Sequence, residues 1–564
     1  MAATETTSTD TFYVGLCMAG AVSAGAYTAG VMDYLLEALA EWEQRRGQPG
    51  VPTHKVQIPV MGGASAGGMT SIMAASSLNN PLPPIDKPST DLLAEHPENK
   101  LYHSWVDLTG VDMFSQMLDT ADIKPGAILS GLNSSFIDPI AQRVVSADAS
   151  QWQDLPPFIM PGLKIFTTLS NLQGFAYYAP FNAASTQNPA KYNMVIHNDY
   201  ACFELTDTAI EGHNDGWIPL NLKDKVNTDI AANAAMATGA FPVGLQARLV
   251  TRDAVYVNNN AWLSKYLAQQ PVPDGKYETL NVDGGLINNE PFDKVRDVLN
   301  NLPGQETDAY NNFDKFTNTV LMIEPFPTTP PETISLSPGL LNVIGNTLGT
   351  MISQMRSKPQ DITNAMDEGC AGQYLITPSR KVTGPDGVTT DLAGELAIAC
   401  GALSGFSGFM NKEFRVHDYF LGRYNCKIFL RDYFTVPESA LTSNPIFSAG
   451  YANANKDIFK SQALDGGYQI IPVFPDATDY TFPDFKFSSG SNWPAIQEND
   501  IDQFESKIKD RLQAVVLNAA ELNWLTKSLL WIGAKVVLNK MISNKIVTTI
   551  KSELVKWKLL PEGK

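Results

Sequence analysis

At 564 residues the chain is long enough for about two to four domains, or for one domain carrying insertions. With 44% hydrophobic and 18% charged residues it can build a sizeable core, which excludes disorder over its whole length. Its 41 basic and 59 acidic residues leave a net charge of −18, which excludes a nucleic-acid partner as an expectation, because like charge repels a phosphate backbone.

Residues 11–18, TFYVGLCM, are short, apolar and β-rich, and predict a buried strand. The uncharged stretch continues to Met32 and is long enough to resemble a signal or membrane segment. Gly15, Gly20, Gly25 and Gly30 interrupt it, and the leader before it has Glu5 and Asp10 but no basic residue. Strand, loop and helix are therefore expected instead. The loop is AGAVSAGA, from Ala19 to Ala26. A helix is predicted over 27–46, with Val31, Tyr34, Leu35 and Leu39 along one face and basic residues at its end. HKVQIPVMGG, 54–63, predicts a second strand, and Ser65 opens the next helix. This order is the start of an α/β fold on a parallel sheet.

Residues 79–93 are proline-rich and polar and read as an exposed loop, with a mixed, helical stretch running to about 150. Residues 163–172 predict a strand, 229–245 an Ala-rich helix stopped by Gly239 and Pro242, 276–292 a strand entering a Gly/Asn turn, and 317–327 a further buried strand. Past about 330 the strand signal weakens. Residues 337–355 and 501–530 read as helices, and 467–475 as one strand. Cys17, Cys202, Cys370, Cys400 and Cys426 form no CxxC pair, so neither a disulfide framework nor a zinc site is expected, and a reducing, cytoplasmic setting fits best.

Three short motifs carry chemistry. Gly63-x-Ser65-x-Gly67 has the pattern of a nucleophile elbow, in which serine sits on a strained strand-to-helix turn and only small residues fit on either side. AGAVSAGAYTAG, 19–30, joins the first strand to the first helix, and its small residues would let the amides of Gly20, Ala21 and Val22 face an oxyanion. Asp283-Gly284-Gly285 follows a predicted strand and leads to Asn288-Asn289-Glu290-Pro291. Each has a plain structural alternative: a flexible glycine loop, close strand–helix packing, and an Asp-Gly turn.

Taken together and in this order, they resemble the patatin-like phospholipases, with a Gly-rich loop after the first strand, GxSxG after the second and Asp-Gly-Gly far downstream. AAMATGAFPVGL resembles that family's small-residue segment ending in Phe-Pro. LYHSWVDLTGVDMFSQML and FRVHDYFLGRYNCKIFLRDYF resemble a bacterial branch with an enlarged chain. The resemblance implies a mostly parallel sheet sandwiched by helices. It implies a catalytic unit over 1–330 with an insertion near 80–160, and a mainly helical extension over 331–564 packed on it. It implies a Ser65–Asp283 dyad, Gly63 and Gly67 in the elbow, and Gly20, Ala21 and Val22 as oxyanion donors. A lipid ester substrate is implied, with no metal or organic cofactor. The loop departs from the family, since Ala19, Ala21 and Val22 replace glycines and Ala24 stands near the usual cation.

Two rivals stay open. Ser65, Asp283 and His417 stand in the chain order of an α/β-hydrolase triad, although only 64 residues precede Ser65. A non-catalytic lipid- or protein-binding chain would keep the fold without the chemistry. The segment 527–564 carries eight lysines and two glutamates, and reads either as a peripheral membrane-surface element on anionic lipid or as a helix docked on the core.

Overall fold

The structure, a computed structural model, describes residues 10–89, 91–107, 113–181, 190–207, 215–305, 312–327, 373–384, 386–475, 482–518 and 543–561. The helix expected at 337–355, Cys370, residues 519–530 of the helix expected at 501–530, and residues 527–542 and 562–564 of the basic region lie outside the described residues.

Among the described residues nine strands form one sheet: β1 (Thr11–Met18), β2 (Lys55–Gly63), β3 (Ile159–Phe181), β4 (Ala190–Leu205), β5 (Ile218–Leu220), β6 (Arg248–Asp253), β7 (Lys276–Asp283), β8 (Asn318–Ile323) and β9 (Gln373–Ile376). Their order is β5-β4-β3-β2-β1-β8-β9, with β7 also on β3 and β6 on β7. β1 pairs in parallel with β2 and β8, β2 with β3, β4 with β5, and β8 with β9. The antiparallel pairs are β3–β4, β3–β7 and β6–β7. The fold is thus a mostly parallel α/β sheet flanked by helices.

β1 is apolar on both faces because both are covered. Phe12, Val14, Leu16 and Met18 join the core beneath α1 (Gly25–Arg45) and α2 (Ser65–Ala75). Cys17 joins a second cluster with Val60, Phe166 and Val320, where Val295 and Leu299 of a helix over Phe292–Asn300 pack. Between α2 and β3 the chain makes short helical turns and α3 (Ile137–Val144), in the place of the expected insertion. The Ala-rich helix forms as α4 (Thr228–Thr238) and stops at Gly239 as its sequence predicts.

The 23-residue strand β3 sets the geometry of the site. Its first part pairs in parallel with β2, ending at Gly63↔Thr167. Two residues later it pairs antiparallel with β7, beginning at Leu169↔Asp283. The ends of β2 and β7 therefore converge on one short stretch of β3.

The chain beyond residue 330 is built into this framework. β9 extends the sheet in parallel beside β8. A 21-residue helix over Lys412–Asp432, here α5, lies across α1. Their backbones meet at glycines: a Cβ on Gly30 would overlap the Tyr419 carbonyl, and one on Gly422 would overlap the Tyr27 carbonyl. Fully buried Arg423 of α5 forms ion pairs with Asp33 and Glu37 of α1. A hairpin over 379–393 and a two-stranded ladder of Thr435–Pro437 with Gly467–Gln469 add strands to a region expected to be mainly helical; the second strand of that ladder is what appears of the strand expected at 467–475. Helices α6 (Glu498–Asn518) and α7 (Ser543–Lys556) pack together. In the part of the basic region that is described, Val547, Ile550, Leu554 and Leu559 are buried, and Lys551 pairs with Glu498 and Asp502. That part is docked on the protein. No helix among the described residues is long and apolar enough to cross a membrane.

Candidate active site

Ser65 is the first residue of α2, directly after the β2 turn, and has φ +49. This left-handed conformation is uncommon for a residue with a side chain and marks a strained turn held by its surroundings. The turn is held from three sides. The Ser65 N–H donates to Thr238 Oγ1 at 2.8 Å, at the end of α4. The Ala64 N–H donates to the Met18 carbonyl at 3.2 Å. Gly63 and Gly67 lie against the same Met18 carbonyl, which a Cβ at either position would overlap. The two glycines of the sequence motif are thus required by the approach of β1 to the elbow.

Asp283 closes β7 and enters the short turn Gly284–Leu286. Its Oδ1 accepts from the Gly285 N–H at 2.7 Å, and its Oδ2 accepts from Ser65 Oγ at 2.7 Å. The β7 end is fixed by Asp283 N–H to the Ala240 carbonyl at 2.9 Å and by Ser170 Oγ to the Asp283 carbonyl at 2.7 Å. Burial pushes the Asp283 carboxyl up to about 6, and the hydrogen bonds from Ser65 and Gly285 partly oppose the rise. The strand bearing the aspartate runs antiparallel to its neighbour β3, so the site is not a row of parallel strand ends alone.

Gly20 sits beside Ser65, where a Cβ would come within 3.0 Å of Ser65 Cβ. Ala21 leads into a tight turn over Val22–Ala24, closed by Ala24 N–H to the Ala21 carbonyl at 2.9 Å, and Val22 has φ +49. Among the described residues, the amides of Gly20, Ala21 and Val22 are not bound to a carbonyl outside the regular elements. Ser65, Asp283 and Val22 thus line one cavity, with Gly20 beside Ser65 and Gly63 and Gly67 packed against the Met18 carbonyl.

Ser65 and Asp283 open into a cavity of about 720 Å³, its mouth included. Met69 and Met73 of α2, Trp105, Met113 and Met117 of the insertion, Phe136, Ile137 and Ile140 at α3, Phe241, and Phe406 and Phe409 of the C-terminal region line it. The lining is overwhelmingly apolar apart from the Ser65–Asp283 pair and Ser104. That suits an apolar group carrying one polar function. A second cavity of about 850 Å³, its mouth included, near Trp217, Trp262, Lys164 and Glu204, lies by Pro59 in the middle of β2 and by Met160, and has no comparable pair.

This arrangement accords with the comparisons to known proteins. A family model described as patatin-like phospholipase matches residues 16–296. The uncharacterized protein y4iI of Sinorhizobium fredii (strain NBRC 101917 / NGR234) is 30% identical over 559 residues, spanning 90% of this chain and 76% of its own length. The chain belongs to the patatin-like phospholipase family. In this patatin-like chain the similarity to that relative extends well beyond the matched domain, consistent with a C-terminal region integrated into the fold.

His417 is elsewhere in purpose. Its Nδ1 bonds Asp418 at 2.8 Å, and its ring packs against Phe482, Phe487 and Trp493. It is fully buried and does not line the cavity with Ser65, and burial lowers its pKa. Sequence reasoning missed Thr238, whose signal was a lone hydroxyl ending an Ala-rich helix. It also missed the aromatic wall at Phe406 and Phe409, about 340 residues from the elbow, for which local pattern gives no signal. Among the described residues no cluster of three or more His, Cys, Asp or Glu is placed to hold a metal ion.

Proposed function

We propose that this patatin-like protein is a serine hydrolase that cleaves carboxylic ester bonds of lipids through an acyl-serine intermediate. The observation that carries the reading is the 2.7 Å hydrogen bond from Ser65 Oγ to Asp283 Oδ2 in the wall of an apolar cavity. Asp283 takes the Ser65 hydroxyl proton as Oγ attacks the ester carbonyl carbon. The carbonyl electron pair moves onto oxygen, which the amides of Gly20, Ala21 and Val22 stabilise. Collapse breaks the bond to the leaving alkoxide, which takes the proton from Asp283. Water then gives a proton to Asp283 as its oxygen attacks the acyl-serine carbonyl; the bond from that carbon to Ser65 Oγ breaks, Oγ takes the proton back from Asp283, and the carboxylic acid is released.

A free aspartate, with pKa about 3.9, is a weak base for this work. Burial raises Asp283 to about 6, so it holds a proton more strongly yet remains ionised at neutral pH. The Gly285 N–H occupies Oδ1 and leaves Oδ2 for the serine.

The test is hydrolysis of a total lipid extract, followed by mass spectrometry, with wild type and Ser65→Ala in parallel. Free fatty acid is expected to accumulate with wild type alone. Equal product in both would refute the assignment.

A further inference from the structure

The turn 19–24 is gripped by a segment from the C-terminal region. Ser23 is fully buried, and its Oγ donates to the Gly405 carbonyl and accepts from the Gly408 N–H at 3.1 Å. On the partner segment Leu403, Ser404 and Gly405 follow one another at φ 56, 53 and 92. Three consecutive left-handed residues, two with side chains, mark a segment forced into shape by its contacts. Gly405 must be glycine on steric grounds as well, since a Cβ there would lie 2.9 Å from Val22 Cβ.

The gripping segment is itself anchored. Asp418 of α5 is fully buried, and its carboxylate accepts from the Ala399 and Cys400 N–H groups, both at 2.8 Å. Ser407 Oγ donates to the Ala399 carbonyl at 2.8 Å. A continuous chain of bonds therefore runs from α5 through residues 399–408 to Ser23, one residue beyond the last proposed oxyanion donor.

Val22 φ and Ala21 ψ together orient the peptide plane that carries the Val22 N–H. A β-branched residue at φ +49 relaxes toward the extended region unless its neighbours prevent it. We infer that Ser23 is a positioning residue for ester hydrolysis: by locking the turn to residues 405–408 it holds the Val22 amide on the developing oxyanion. This rests on the reading of Ser65 as nucleophile. It also makes the C-terminal region part of the active site through the oxyanion loop, besides the wall formed by Phe406 and Phe409.

The experiment compares Ser23→Ala with Ser461→Ala in the full chain, on a soluble short-chain ester. Ser461→Ala removes a buried hydroxyl of the same kind, one that donates to the Asp432 carbonyl at 2.8 Å and accepts from the Leu464 N–H at 2.7 Å, without touching the turn 19–24 or the segment 399–408. Ser23→Ala is expected to lower kcat by about 10²-fold, the effect of losing one oxyanion donor, with KM nearly unchanged. Affinity for a trifluoromethyl ketone, which forms a tetrahedral adduct, should fall in parallel, while a non-hydrolysable ether analogue binds as in wild type. Ser461→Ala should match Ser23→Ala in thermal stability while keeping most of kcat. Equal loss of kcat in both variants, a loss seen in KM alone, or full activity in Ser23→Ala would overturn the inference. Failure of the underlying reading shows separately, as undiminished hydrolysis in Ser65→Ala, and would overturn both.

Discussion

The backbone N–H of Ser65 donates to the side-chain oxygen of Thr238, 173 residues away in the chain, at 2.8 Å. The bond ties the strained elbow to the end of α4, whose following residues hold the N–H of Asp283 through the Ala240 carbonyl. One helix end thus positions both members of the pair. Replacing Thr238 with Val keeps the branched shape and removes the acceptor, leaving a buried N–H unpaired. The expected result is a loss of about 1–3 kcal/mol in stability, read by urea unfolding, and a drop of about tenfold in kcat as the elbow relaxes. Unchanged turnover in Thr238→Val would show that the rest of the turn holds Ser65 alone.

Asp283 gives a prediction in pH. Its carboxyl is raised from about 3.9 in an unfolded chain to about 6 in the fold. A raised pKa means that its contribution to stability is fully present below about pH 4 and lost as pH rises through about 6. At pH 8 the buried carboxylate costs up to about 3 kcal/mol, the equivalent of about two pKa units. Asp283→Asn has no charge to bury, so its urea midpoint is expected to exceed that of wild type at pH 8, with the gap closing toward pH 4. Wild-type kcat/KM should rise through about pH 6 to a plateau, while the variant loses activity by at least about 10²-fold. A stability gap that does not vary with pH would contradict this account of Asp283.

Much of the sheet and the site could be read from the sequence because their causes are local. β1 is a continuous apolar run, α4 stops at Gly239, and Gly63 and Gly67 flank a serine. Such patterns express burial and backbone close approach directly. The C-terminal region was read less well. β9 is four residues long, and its identity as a sheet strand depends on pairing with β8, some fifty residues earlier. The grip of Gly405 and Gly408 on Ser23 joins positions more than 380 apart, and no periodicity encodes it. Even the convergence of Ser65 and Asp283 depends on β3 switching partners between Thr167 and Leu169, which a reading of separate strands does not contain.

The crossing of α1 and α5 bears on where the catalytic unit ends. Gly30 and Gly422 allow backbone contact there, and Arg423 is fully buried beside Asp33 and Glu37. A chain cut after residue 330 would lose β9, expose the edge of β8 and leave Asp33 facing solvent across an apolar surface. Residues 1–330 alone are therefore expected to aggregate or to elute as an expanded species on size exclusion. Gly30→Ala in the full chain should cost about 1–3 kcal/mol through overpacking. A compact, active 1–330 fragment would place the boundary where sequence composition alone suggests it.

Val243 tests whether a strained backbone can be relieved away from the reacting atoms. It has φ +67 and is 87% exposed, an unfavourable combination for a β-branched residue. Its carbonyl accepts from the Gly131 N–H at 2.7 Å, so the left-handed turn is held through the backbone and gains little from the side chain. Asn tolerates this conformation far better, because its short polar side chain bonds locally. Val243→Asn should therefore stabilise the fold by about 1 kcal/mol, seen as a higher urea midpoint with an unchanged slope. Turnover of a soluble ester should stay at the wild-type level, since Val243 does not line the cavity. Val22, at φ +49, offers the contrast: it lines the cavity and packs on Gly405, so Val22→Asn should lower kcat even if it relieves the same strain. If Val243→Asn destabilises the protein, the Val243 side chain makes a contribution that its exposure conceals.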